Sequence, residues 1–173
     1  MTDGIATYVG VDWASVGLST TPIREALAWL GGEGLIERAP AGGYAGLRLD
    51  PAGLAGRYRL RLHCLEKGLE GAVPGINATP HADQTRLFRH IVAAAADPAL
   101  VAVYDRVQAT IERFARAEAR LLGDMPAALE AVANLLANGQ EPQAAERLRD
   151  FHERRISAAP LLTEAEQVQA GAG

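Results

Sequence analysis

The chain has 173 residues, a formal net charge of −4 and an apolar fraction of 49%, enough for a packed core spread over one medium and one small domain. The acidic balance offers no global attraction for nucleic acid or an anionic membrane, and the single cysteine, Cys64, excludes an internal disulfide and fits a reducing compartment. The run Ile91 to Ala96 is too short to cross a bilayer and the first residues carry no basic leader, so a cytoplasmic location is expected.

In chain order, Thr2 to Gly10 has no helical period and no capping signal, and Asp12 to Val16 reads as the tail of a helix. Ser19-Thr20-Thr21-Pro22 then opens a helix, with proline in the first turn, where its missing N–H costs nothing, and with Ile23, Ala26, Leu27 and Leu30 at helical spacing. Gly31-Gly32 and Gly34 end it. Leu35 to Arg38 predicts a short strand, Gly42-Gly43 the tip of a hairpin, and Tyr44 to Leu49 the returning strand. After Asp50-Pro51 only helical patterns follow. Leu54, Tyr58, Arg61, Leu62, Leu65 and Leu69 predict a helix stopping near Gly71, and a loop over Val73 to Pro80 precedes a second helix over about Ala82 to Ala96. Asp97-Pro98 caps the longest helix, expected to reach about Leu122, a fourth covers Pro126 to Asn138, and a fifth runs from Glu141 to about Ala158, with a frayed tail over Glu164 to Gly173. Cys64, beside Leu62 and Leu65, is expected to pack in the core.

The run Val16-Gly17-Leu18-Ser19-Thr20-Thr21-Pro22-Ile23-Arg24-Glu25-Ala26-Leu27, followed by Glu33-Gly34-Leu35-Ile36-Glu37-Arg38 and the glycines of the hairpin, resembles the winged helix-turn-helix of the GntR family of bacterial transcription regulators. That resemblance implies a recognition helix and a wing, with Ser19, Thr20, Thr21, Arg24, Gly42 and Gly43 as DNA-binding residues. The first helix of the motif is expected to be missing from Met1 to Gly17, which would leave Leu27, Trp29 and Leu30 partly uncovered. From Met1 to Arg48 the basic residues are Arg24, Arg38 and Arg48, against Asp3, Asp12, Glu25, Glu33 and Glu37. Phosphate neutralisation is therefore small, and DNA binding is expected to be weak or to depend on a dimer.

Arg61-Leu62-His63-Cys64-Leu65-Glu66, the helix from Phe88 closing on Asp97-Pro98-Ala99-Leu100, and Ala144 to Leu148 with His152 resemble the all-helical effector and dimerisation domain of the FadR-type branch of that family, often called FCD. The expected fold is thus mainly α: an incomplete winged helix-turn-helix over residues 1–49, then an all-α bundle over residues 50–173. In that branch an aspartate and three histidines often hold a divalent metal. The matching positions here are Gln84, Phe88, about Leu129 or Glu130, and His152, so only one ligand keeps its identity and no bound metal or other cofactor is expected. Arg61, Glu130 and His152 are the candidate effector-binding residues, for a small organic acid. From the residues alone Arg61 divides evenly between a pocket and a surface pairing with Glu66 or another carboxylate, and His152 between a pocket and the outer face. His63, His81 and His90 have no spacing of interest.

Leu100, Tyr104, Val107, Ile111 and Phe114 recur in steps of four and three, one apolar stripe that serves either the domain's own core or a homodimer. No phosphate loop, activated nucleophile or paired carboxylates suggest an enzyme. Two functions remain: a ligand-responsive DNA-binding repressor, and a helical, dimeric small-molecule-binding protein with a vestigial reading head.

Overall fold

The computed structural model describes residues 20–32, 34–38, 43–71, 84–123 and 125–171. The chain divides into two compact units, Met1–Arg48 and Leu49–Gly173, and it is mainly helical, with two short strands among the described residues of the first unit.

In the first unit helix α1 spans Thr20–Gly32 and is followed by strands β1, Ile36–Arg38, and β2, Tyr44–Gly46. The helix stops at a glycine cap: Leu35 N–H donates to Leu30 C=O and Gly34 N–H to Gly31 C=O, both at 3.1 Å, with Gly34 at φ +69°, where a side chain would be strained. The strands pair antiparallel with Ile36 opposite Gly46 and Arg38 opposite Tyr44, and Gly43, just before β2, has the left-handed φ of +83°. The Arg38 guanidinium lies over the Tyr44 ring, 5.9 Å from its centroid. Ile36 is buried, Leu27 and Leu30 are half-buried, and Trp29 is 65% exposed. The expected gap in the motif, like Ser19 and Gly42, lies outside the described residues.

The second unit is a helical bundle of α2 (Pro51–Glu70), α3 (Gln84–Ala93), α4 (Pro98–Ile111), α5 (Ala115–Leu121), α6 (Met125–Ala137) and α7 (Glu141–Gly171). Two Asp-Pro pairs start α2 and α4. Asp50 accepts from Gly53 N–H at 2.6 Å, Asp97 from Ala99 N–H at 2.9 Å, and each proline occupies a first-turn position with no N–H to satisfy. Gly139, at φ +65°, ends α6 with the same cap as Gly34, Gln140 N–H reaching Leu135 C=O at 2.9 Å. The core joins Leu65, Leu87, Phe88, Ile91, Leu136, Leu148 and Phe151 from α2, α3, α6 and α7, and includes Cys64, whose thiol burial pushes above its ordinary range. At Gly68 the backbones of α2 and α3 approach so closely that a Cβ there would overlap the Ile91 carbonyl and sit 2.8 Å from Val92 Cα.

Two expectations about helix extent are corrected. The helix from Pro98 does not run unbroken to Leu122: Glu112–Phe114 tightens into a 3₁₀ turn between α4 and α5. No glycine or proline causes this, so local propensity gives no sign of it. The turn falls where Phe114 and Glu118 are both buried, and packing sets it. The last helix does not end near Ala158 ahead of a frayed tail over Glu164 to Gly173 but continues to Gly171 through Pro160. Ala159, Leu162 and Thr163 are buried, the Thr163 hydroxyl donates to Ala159 C=O at 3.0 Å, and Glu166 pairs with Arg113. That burial offsets the hydrogen bond Pro160 removes.

The stripe on α4 faces its own bundle. Tyr104, Val107, Ile111 and Phe114 are buried, and Leu100 packs against the core. Among the described residues no helix is long and apolar enough to cross a membrane.

Candidate functional site

An arginine in the middle of an apolar stripe is the physical oddity on which the site is built. Leu54, Tyr58, Arg61 and Leu65 follow one another at helical spacing on α2, so the face that carries the two leucines inward carries Arg61 with them, and all four are buried. The guanidinium keeps its proton in any protein environment, so the bundle contains a buried cation. Arg61 Nε–H donates to His152 Nε2 on α7 at 3.0 Å, and Nη1 donates to Gln108 Oε1 on α4 at 3.2 Å. Three aromatic rings surround it, with Tyr58, Phe88 and Phe151 at 5.2, 5.5 and 6.0 Å from Cζ to centroid, contacts that favour a desolvated cation.

These contacts fix the state of His152. Its Nδ1 lies 2.7 Å from Leu148 C=O and donates to it, which leaves Nε2 as the acceptor for Arg61: a neutral imidazole in one tautomer. Burial, and then the positive charge of Arg61, hold its pKa well below the ordinary histidine range. Arg61 in turn is lowered by burial. Both imidazole nitrogens are thus engaged, Nδ1 by the Leu148 carbonyl and Nε2 by the guanidinium. Phe88, at a position where the family resemblance would put a histidine, stacks on that same group.

One turn further along the bundle sits a second buried cation with a different kind of partner. Arg155, on the inward stripe of α7 three residues after His152, donates from Nε to Glu118 Oε2 at 2.7 Å and from Nη1 to Phe151 C=O at 3.0 Å, and its guanidinium lies 3.4 Å from the Phe151 ring centroid. The Tyr58 hydroxyl donates to the other oxygen, Glu118 Oε1, at 2.6 Å. Burial and the Glu118 charge push the Tyr58 phenol far above its ordinary range. Both oxygens of Glu118 are therefore engaged by groups other than Arg61. Two polar atoms of this region have no hydrogen-bond partner among the described residues: Arg61 Nη2 and the Tyr104 hydroxyl. Tyr104 stands one helical turn before Gln108 on α4, and burial pushes its phenol up to about 12.

Of the three residues expected to hold an effector, Arg61 and His152 meet and Glu130 does not; Glu130 is exposed on α6. The surface alternative for Arg61 is closed, since Glu66 pairs with Arg149 at 2.8 Å. Tyr58, Tyr104, Gln108, Glu118 and Arg155 were not expected in the site. Glu118 had a legible signal: it falls four residues after Phe114 and so continues the four-three stripe of α4 with an acid. Arg155 likewise continues the stripe Leu148, Phe151, His152.

Among the described residues no group of three or more His, Cys, Asp or Glu side chains converges as a metal site would require. Two grooves of about 300 and 510 Å³ lie along α6 and α7, sharing Ala131, Arg147 and Asp150, and Phe151 lines the smaller. In the first unit Thr21 and Arg24 are exposed at the N-terminal end of α1, and Gly43 is exposed at the hairpin; Thr20 begins the helix. Comparison with protein-family models, with curated proteins and with solved structures gave no match.

Proposed function

We propose that the chain is a ligand-responsive, DNA-binding transcription regulator, a repressor in cytoplasm, in which α1 and the β1–β2 hairpin read DNA and the helical unit senses a small organic acid at Arg61 and His152. The observation that carries this is the order helix, glycine cap, antiparallel strand pair, with the helix opening on Thr20-Thr21-Pro22 and with Thr21 and Arg24 exposed at its start. A recognition helix presents its first turns to base edges and phosphates while the wing contacts the backbone, and these side chains suit those tasks. The buried Arg61–His152 pair supports the sensing half, since a guanidinium in an apolar setting selects carboxylates. A two-fold operator requires two reading heads, so the regulator acts as a homodimer. The acidic balance of residues 1–48 favours a second function, a dimeric small-molecule-binding protein whose reading head no longer engages DNA.

Selection of a random DNA pool with the full-length chain separates the two. The regulator should enrich a two-fold symmetric sequence, and Arg24→Ala should weaken binding to it by about 1–3 kcal/mol, while light scattering reports twice the chain mass. Binding no tighter than to unselected DNA at low salt would leave only the second function.

A further inference from the structure

The two buried guanidiniums of the bundle are not equivalent. Arg155 meets a carboxylate directly at 2.7 Å. Arg61 meets only neutral acceptors, His152 Nε2 and Gln108 Oε1, and aromatic faces. A cation that is 1% exposed and has no acid in contact is costly to hold in a low-dielectric interior. One of its nitrogens, Nη2, also donates to nothing among the described residues, and neither does the buried Tyr104 hydroxyl on the helix that faces it. Both are donors, and the charge they leave uncompensated is a single positive one.

We propose that Arg61 Nη2 and the Tyr104 hydroxyl form the two arms of a binding site for one small monovalent anion, either a halide or the carboxylate of a formate- or acetate-sized acid. Gln108, the half-buried neighbour of Arg61, is the way in: its side chain turns outward and releases Nη1 as a third donor. The Glu118 carboxylate cannot take the anion's place, because Tyr58 and Arg155 hold its two oxygens. Nor can Arg155 supply a second positive arm while it is paired with Glu118, so the site compensates one charge and discriminates against dianions. The proposal deepens the sensing role given to Arg61 above and rests on it. It adds Tyr104 and Gln108 to the site.

Thermal unfolding of the full-length chain tests it, with sodium formate and sodium chloride titrated against sodium sulfate at equal ionic strength. A ligand that binds only the folded state raises Tm along a saturating curve, and a rise of about 4 °C or more is expected for a monovalent anion at saturation. Chloride and formate in separate titrations tell which source of the charge the site prefers, and a saturating response to either supports it. Tyr104→Phe should fold and need about tenfold more anion for half of the rise, and Arg61→Met should lose the saturating component altogether. If Arg61→Met does not fold, the Tyr104→Phe comparison still decides. Parallel, non-saturating rises in all three chains would be a general salt effect and would overturn the proposal, as would no rise in the unmutated chain or an equal saturating response to sulfate. The DNA selection reads the regulator assignment separately: enrichment without an anion response removes this site alone, and an anion response without enrichment removes the regulator alone.

Discussion

The two units of this chain are specified in opposite ways. Residues 20–48 carry the most informative motif in the sequence, yet their described side chains bury little: Ile36 is buried, whereas Trp29 is 65% exposed. The helical unit has weaker motifs and a deep core, with Leu54, Leu65, Phe88, Ile91, Leu136 and Leu148 all fully enclosed. Motif strength and burial answer different questions. Exposed residues can read clearly as a pattern without packing a core, while residues that fold a bundle need only be apolar at the right period.

The sharpest way to break that contrast is to disturb the buried ion pair. Glu118→Gln leaves Arg155 enclosed without its counter-charge, and breaking such a pair from one side costs about 3–5 kcal/mol. Urea unfolding should register that loss in the helical unit. Glu118→Met combined with Arg155→Met should recover most of it, because no uncompensated charge remains. A single variant as stable as the unmutated chain would mean that the polar cluster does not organise the bundle.

Much of the bundle was legible because its helix ends have local causes. Asp50-Pro51 and Asp97-Pro98 act where the sequence places them, as Gly34 does in the first unit. What was not legible has a tertiary cause. The 3₁₀ turn at Glu112–Phe114 has no breaker, and α7 passes through Pro160 because Leu162 and Thr163 are buried beyond it. Within the site, Arg61 and His152 were named through the family resemblance, and the residues alone left each of them divided between a pocket and the surface. Which groups would meet them depends on how α2, α4 and α7 pack, and the spacing along any one helix does not contain that. Glu130 failed for the same reason: counting positions along the chain put it near the site, and the rotation of α6 points it to solvent.

A smaller effect sharpens the comparison through pH. His152 is held neutral in the folded state, its pKa lowered by burial and by Arg61. Below about 6.5, the ordinary value, the unfolded chain binds a proton that the folded chain does not. Its contribution to stability is therefore complete above that pH and is lost as pH falls, at up to about 1.4 kcal/mol per unit. Denaturant unfolding of the unmutated chain and of His152→Gln between pH 7.5 and pH 5 should diverge by that slope, with the variant the flatter. Parallel curves would mean that His152 is protonated in the fold.

The claim that joins the two regions is that an anion held by Arg61 changes how tightly α1 and its wing hold DNA. Fluorescence anisotropy of the selected DNA, titrated with the full-length chain in the presence and absence of formate, measures it. The midpoint should move by about fivefold or more, the range of ordinary coupling between two sites, and should stay fixed in Arg61→Gln. Midpoints that shift equally in both chains, or in neither, would contradict it.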